Sequence, residues 1–218
     1  EAITQMKTDT VLKTVEGNEY SIGYVSTGSL NDTIKPINID GVEPTTDNIK
    51  DGSYKIARPF NIATKSEISD LAKDFIDFIM SKEGQEIVSE SYIAVDDSAE
   101  PYNGTKPSGK IVVAGSSSVT PIMEKLREGY LKVNENADIE IQLSDSSAGM
   151  QAAIDGTADI GMASRALKDS EKTELEDIAI ALDGIAVIVN KSNTVTDLTA
   201  ENVKSIFIGE TTKWNEIN

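Results

Sequence analysis

The chain contains no cysteine and no histidine. Without cysteine there are no disulfides, no thiolate metal sites and no thiol nucleophile. The compartment stays open, because many exported bacterial proteins also lack cysteine. Without histidine the usual general base and the commonest metal ligand are gone. Ser–His–Asp chemistry is thereby excluded, and a zinc hydrolase is argued against. Long apolar runs are missing too: no stretch of 18 residues is apolar throughout, so no segment reads as spanning a membrane. Positive charge is scarce, with 20 Lys and Arg against 37 Asp and Glu, a formal net charge of −17. That balance argues against nucleic acid and anionic membrane surfaces as partners. There is no signal peptide and no lipobox cysteine, and Glu1 reads as an internal start, so the segment is expected to come from something longer. At 218 residues the chain can bury a real core, as one large domain or two small ones.

What is present is organised around Ile111–Pro121, IVVAGSSSVTP. Four apolar, mostly β-branched residues run into Gly115, three serines and Val119-Thr120-Pro121. This is the composition of a buried parallel strand, a tight turn and a helix with proline in its first turn. Hydroxyls and free N–H groups gathered at the positive end of a helix attract an anion, or the serines simply cap the helix. The same grammar returns in Ile139–Gly149 (IEIQLSDSSAG) and in Ala158–Arg165 (ADIGMASR). Three strand ends carrying hydroxyls and one Arg, within about fifty residues, imply a cluster at the carboxyl edge of a parallel sheet, where open α/β sheets hold their ligands. An anion there conflicts with the acidic chain only superficially. Oriented N–H groups at a few ångströms outweigh surface carboxylates screened over roughly 8–10 Å.

Taken in order, Glu1–Thr14 has loosely helical spacing, and Asn18–Ser26 alternates as a strand with Ile22 and Val25 toward the core. Gly28–Pro36 is turn-rich, and Ile37–Tyr54 is mostly loop with one helical turn near Asp47–Lys50. Lys55–Thr64 is extended. The strongest helix sets Ile68, Leu71, Ala72, Phe75, Phe78 and Ile79 on one face, with Asp70, Lys73, Asp74 and Asp77 opposite. Gly84 is expected to end it, and Gln85–Glu90 to form a shorter one. Asp96–Gly109 (DDSAEPYNGTKPSG) reads as a linker. A helix from Pro121 to Asn134 turns Ile122, Leu126, Tyr130 and Val133 inward. Lys168–Asp177 is an acidic, solvated helix, and Ile178–Asn190 is two strands or one long bent strand. Leu198–Gly209 is a helix with Thr199 as N-cap, a Leu198–Val203 staple and Gly209 as its stop, while Trp214 packs near a surface turn.

GSSSVTP (115–121), SDSSAG (144–149), GTADIGMASR (156–165), ALDGIAVIVN (181–190) and LTAENVKSIFIGETTKW (198–214) together resemble the phosphate-binding proteins of bacterial phosphate ABC importers, in the form found in Gram-positive bacteria such as clostridia. Glu16–Ser26, Ile56–Thr64 and Leu71–Val95 resemble the carboxyl-terminal half of that family, yet here they come first. The order is therefore rotated, as in a circular permutant or the junction of a tandem pair. A strand, an Arg and a Gly-Ser-Gly-Thr turn that the family has between the equivalents of Asn218 and Glu1 find no counterpart in these residues.

The resemblance implies an α/β fold like that of type II periplasmic binding proteins, two lobes of mixed sheet flanked by helices, the second lobe incomplete. Residues 31–95 with 110–190 would form the phosphate-loop lobe, residues 1–30 with 191–218 the partial second lobe, and 96–109 the linker. Carried over, the ligand contacts are Ser117, Ser118, Val119 and Ser146, with Arg165 supplying positive charge and Ser164 structural. Asp145 either accepts a proton from the ligand, or caps the helix, or reaches Arg165. The implied function is extracytoplasmic capture of inorganic phosphate for a membrane permease. There would be no catalysis, no cofactor, no metal and no nucleic acid, and the parent protein would be lipid-anchored. The absent stretch implies weak binding by a lone chain. A second reading is an engineered or truncated permuted module, binding poorly or only as a segment-swapped homodimer. A third, a phosphate-ester hydrolase, has neither His, Cys nor a two-metal carboxylate cluster to work with.

Overall fold

The computed structural model describes residues 8–217, so the first half of the helix expected over Glu1–Thr14 lies outside the described residues. The chain forms two compact units, Glu1–Ala57 with Asp183–Asn218, and Arg58–Leu182.

In the first unit α1 (Thr8–Glu16) lays Leu12 and Val15 over β1 (Ile22–Ser26). Gly23 makes room for it, since a Cβ there would stand 3.0 Å from Val15 and 3.1 Å from Val11. Gly23 and Val25 share this covered face. Ile22 falls on the other with Tyr24, so it is half-buried rather than core. The strands β2 (Ile34–Pro36) and β3 (Asn38–Ile39) follow, then the expected helical turn, α2 (Thr46–Lys50), capped by Thr45.

The second unit opens with β4 (Ala57–Thr64), α3 (Asp70–Met80), α4 (Lys82–Ser89) and β5 (Ile93–Ala94). It continues through β6 (Gly109–Ser116), α5 (Thr120–Val133), β7 (Ala137–Ser144), α6 (Ser146–Asp155), β8 (Ile160–Ala163) and α7 (Asp169–Lys172). Its strands run in the order β4-β8-β6-β7, with β6 parallel to both β7 and β8 and β4 antiparallel to β8. The long β9 (Glu176–Asn190) pairs with β5 near Leu182, and its later residues pair with β1 and β2 in the first unit. That pairing is why residues 31–57 and 183–190 belong to the first unit, not to the larger lobe drawn from the sequence. A short strand β10 (Asp197–Leu198) runs parallel to β3, and α8 (Ala200–Phe207) closes the unit with Thr199 as its N-cap and Gly209, at φ +82°, just past its end. Trp214 packs at a surface turn, donating from Nε1 to the Tyr20 carbonyl at 3.0 Å.

Side-chain alternation sorts the second unit into two layers. Phe60 and Ile62 of β4, Ile111 and Val113 of β6, and Ile160 and Met162 of β8 meet Phe75, Phe78, Ile122, Leu126 and Tyr130 from α3 and α5. Ala63 and Ala163 face the opposite way, onto Met150 and Ala153 of α6. This second layer is thin. A Cβ on Gly149 would lie 2.4 Å from Gly115 Cα and 2.6 Å from the Ala114 carbonyl oxygen, and one on Gly161 would lie 2.9 Å from the Gly149 oxygen. Gly115 itself sits at φ +142°, 2.3 Å from the Met162 oxygen on the same test. Helix α6 therefore rests backbone on backbone against β6 and β8.

Three expectations need correction. Gly84 does not end a helix; it sits in the first turn of α4. Ser81 separates the two helices by donating to the Phe78 carbonyl at 2.6 Å and accepting the Gly84 N–H at 3.3 Å. Asp74 is not on the polar face but 4 % exposed, three residues from Leu71 and four from Phe78 and so on their face. The acidic helix is only the four residues of α7, because Glu176 already enters β9. Of the two alternatives for Ile178–Asn190, the single long strand is the one observed, as β9.

The segment 96–109 connects the two parts of the sequence but is tied down. Asp74 accepts hydrogen bonds from Tyr102 Oη at 2.5 Å, Tyr130 Oη at 2.6 Å and the Thr105 N–H at 2.7 Å. Asn134 adds bonds to the Pro107 carbonyl and Tyr130 Oη, both at 2.9 Å. Burial works against the Asp74 charge, but these donors overcome it and hold the carboxyl below the usual carboxylate range. Burial and the same carboxylate push the Tyr130 phenol up to about 12.

Two outcomes follow. Gly149→Ala should lower stability in urea unfolding by about 1–2 kcal/mol, the overlap with β6 outweighing the roughly 1 kcal/mol that alanine gains in a helix; an equal or higher midpoint would show that α6 is not seated this closely. Asp74→Ala should cost about 2–4 kcal/mol at neutral pH by leaving buried donors unpaired. Because the folded carboxyl titrates below its unfolded value near 3.9, its contribution is complete above that value and is lost as pH falls through the lower folded one. The gap between wild type and variant should therefore close only below about pH 4.

Candidate functional site

The three serine-bearing strand ends do come together, at the carboxyl edge of the parallel strands β8, β6 and β7. Ser117 donates its N–H to the Ser144 carbonyl at 3.0 Å, joining the β6–α5 turn to the end of β7. Ser116 Oγ donates to Ser164 Oγ at 3.0 Å, and the Ser164 N–H donates to Ser146 Oγ at 3.2 Å. Arg165 leaves the end of β8, its carbonyl held by the Asn61 side-chain amide at 2.8 Å. All six residues singled out from the sequence, Ser117, Ser118, Val119, Asp145, Ser146 and Arg165, lie in the second unit on these loops and helix ends.

Their donors are not all free. The Val119 N–H donates to the Ser116 carbonyl at 3.0 Å, and the Ser117 N–H is used as above. Of the three consecutive amides expected to meet an anion, only that of Ser118 donates to no described residue. The buried Val119 side chain belongs to the core, and this residue is the N-cap of α5. Ser117 keeps an exposed hydroxyl, and the first turn of α5 adds the partial positive charge of its end.

Asp145 is the N-cap of α6. Its Oδ1 accepts the N–H groups of Ser147 at 2.8 Å and Ala148 at 2.9 Å. This settles what holds α6 in place, and Oδ2 receives no hydrogen bond from a described residue. At the other end of α6, Gly156 adopts the left-handed conformation (φ +73°) that stops it.

Arg165 meets a partner that the sequence pattern did not suggest. Glu171, buried on α7, takes Nη1 and Nη2 in a bidentate pair, both at 2.8 Å. Arg165 Nη2 also donates to Ser147 Oγ at 3.2 Å, with Lys168 Nζ on the same oxygen at 3.4 Å. A hydroxyl that accepts from two cations must direct its own proton elsewhere, so Ser147 is a polarised donor. Ser147 was legible only as one serine in a cluster, and Glu171 only as one acid on a helix taken to be solvated. The hydrogen bond to Glu171 raises the Arg165 guanidinium further above its ordinary value, and Arg165 in turn holds the Glu171 carboxyl down. Two cations, Arg165 and Lys168, thus stand against two carboxylates, Asp145 and Glu171, and the cluster carries no formal net charge. Among the described residues no group of three His, Cys, Asp or Glu side chains could hold a metal.

The model of the PBP superfamily domain matches residues 1–83 and 100–218. The "Phosphate-binding protein PstS 2" of Streptococcus agalactiae serotype V is 52% identical over 213 residues, 97% of this chain and 73% of that protein. The chain belongs to the PBP superfamily and, within it, to the PstS phosphate-binding proteins. The crystal structure of a phosphate-binding protein of a phosphate ABC transporter from Streptococcus pneumoniae TIGR4 superposes with a TM-score of 0.92 at 44% identity, covering 100% of this chain and 85% of that one. The "Phosphate-binding protein PstS" of Staphylococcus saprophyticus matches at 37% over only 121 residues, 52% of this chain and 38% of that protein. The α/β, periplasmic-binding-protein-like fold read from the sequence is the fold observed, now with streptococcal relatives beside it.

The cap has a direct test. Asp145→Ala should lower unfolding stability by about 1 kcal/mol and Asp145→Asn by only a few tenths, as measured by urea denaturation, because asparagine still accepts the two amides.

Proposed function

We propose that this PstS-family chain binds inorganic phosphate for a phosphate ABC transporter, holding the ion without chemical change. It is a binding protein, not an enzyme. The observation that carries the reading is the convergence of three strand ends, bringing Ser117, Ser118, Ser146, Ser147 and Arg165 to one edge. Its partners are the phosphate ion and a membrane permease, and its place is extracytoplasmic. Among the described residues no helix is long and apolar enough to cross a membrane.

The arrangement suits a protonated tetrahedral oxyanion. Ser118 N–H and the hydroxyls of Ser117, Ser118 and Ser147 donate, and Arg165 supplies charge. Asp145 Oδ2 is an acceptor, of use only to a ligand that still carries a proton. Phosphate at neutral pH carries one or two protons and sulfate none, so this carboxylate favours the first and repels the second. Asp145 would then both cap α6 and select the ligand.

The segment order is natural on this reading. An alignment that runs through 97% of the chain with the S. agalactiae protein implies one shared order. A match confined to 52% of the chain with the staphylococcal protein fits a different order there, which one continuous alignment could not span.

Isothermal titration of the chain with phosphate and sulfate, alongside Arg165→Ala and Asp145→Asn, tests the function. Phosphate should release heat that sulfate does not. Arg165→Ala should weaken binding by ten- to a hundredfold, about 1.4–3 kcal/mol for a charge-assisted contact. Asp145→Asn should narrow the gap between the two anions. Equal response to both anions in the wild type would overturn the selectivity, and binding confined to a dimer on size exclusion would move the site to a segment-exchanged assembly.

A further inference from the structure

Arg165 has five N–H donors, and four are committed. Nη1 reaches Glu171 Oε2 at 2.8 Å and the Ala166 carbonyl at 3.0 Å, while Nη2 reaches Glu171 Oε1 at 2.8 Å and Ser147 Oγ at 3.2 Å. The fifth, Nε–H, donates to no described residue. Glu171 is fixed more firmly than the arginine it holds. Its side chain is 9% exposed against 30% for Arg165, and Oε2 also accepts the Lys168 N–H at 2.8 Å.

We propose that Glu171 is a positioning residue for anion capture: it holds the Arg165 guanidinium beside Ser147 at the first turn of α6, so that Nε–H and the Ser147 hydroxyl are presented ready-made. The inference rests on the phosphate reading above. A bidentate pair fixes both the position and the plane of a guanidinium, which a single contact does not. Without it, a long side chain on the loop after β8 samples many rotamers, and an anion must order it on binding. The carboxylate also carries a charge of the wrong sign for an anion. Each of its oxygens is already bound by donors, however, Oε1 by Nη2 and Oε2 by Nη1 and Lys168 N–H, and this mutes its repulsion. Asp145 is the other carboxylate near the guanidinium, and Lys168 the other cation. A purely structural role is the competing account, since Glu171 also occupies the capping position of α7.

A double-mutant cycle separates the two. Phosphate is titrated into wild type, Glu171→Gln, Glu171→Ala, Arg165→Ala and the Arg165→Ala/Glu171→Gln pair, following backbone amides by NMR to tens of millimolar so that weak binding is still measured. The isosteric Glu171→Gln guards against loss of the fold. Glu171→Gln should raise the phosphate Kd about tenfold in the wild-type background and leave it within twofold in the Arg165→Ala background. It should also broaden the Arg165 Nε–H signal, which a cap on α7 alone would not do. An unchanged Kd in both Glu171 variants, or an equal loss with and without Arg165, would overturn the positioning role while phosphate binding stands. Absence of any phosphate-induced shift at Ser117–Val119 and Ser146–Ser147 in the wild type would overturn the phosphate reading, and this inference with it.

Discussion

Everything at the candidate site depends on how closely α6 can approach β6 and β8. The contact is made by Gly149 against Gly115 and Ala114, with Gly161 beneath, and a single added Cβ would overlap backbone by an ångström or so. Pushed outward by that much, α6 would carry Ser146 beyond the 3.2 Å reach of the Ser164 N–H and Ser147 beyond Arg165. Ser117 is tied to the end of β7, which feeds α6 through Asp145, so the displacement would spread to the β6–α5 turn as well. Three glycines thus hold apart no side chains and hold together three loops. Glycine in a helix such as α6 is destabilising by roughly 1 kcal/mol relative to alanine. Its presence at Gly149 marks the approach distance, not local propensity, as the constraint.

The second determinant is local charge. A chain of formal net charge −17 is a poor collector of anions at long range, and within the cluster Arg165 and Lys168 are matched by Glu171 and Asp145. On the proposed reading, attraction therefore comes from groups that act within a few ångströms: Arg165 Nε–H, the first turn of α5, the Ser118 amide, and hydroxyls polarised by neighbouring cations. Screening over about 8 Å at physiological ionic strength removes most of the surface repulsion but little of these contacts. A balanced cluster of this kind distinguishes anions by their hydrogen-bonding pattern more than by their charge, and the open oxygen of Asp145 fits that logic.

How much of this was legible in the sequence varies with the range of the interaction involved. The strand–Gly–Ser–Pro run of β6 and α5, the capped α8 with Gly209 behind it, and the aromatic stripe of α3 are set by neighbours a few residues apart, and all were readable. Asp74 was misplaced because charge outweighed register in reading α3; counting three from Leu71 and four to Phe78 puts it inward. Gly84 was misread because Ser81 can serve two helices at once, ending one and starting the next. Glu171 could not be found from its own helix at all. Its burial is decided by Arg165, whose place is decided by β8 and by Asn61 across the sheet.

The proposed rotation of the segment order is easier to understand from the packing than from the chain. The core of the second unit takes Phe60, Phe75 and Phe78 from before the connecting segment and Ile111, Leu126 and Tyr130 from after it. Neither part could bury its apolar face alone, so the unit holds together across the junction whichever end of the sequence comes first. The connecting segment is then a strap across a finished core, and Asp74 is where it is fastened: one carboxylate from the earlier part accepts Tyr102 and Thr105 of the strap and Tyr130 of the later part. A buried charge shared by three stretches of sequence is stable only when all three are in place, because each missing donor exposes the full cost of its desolvation. The clasp therefore specifies the assembled arrangement, and with it the edge where the loops meet.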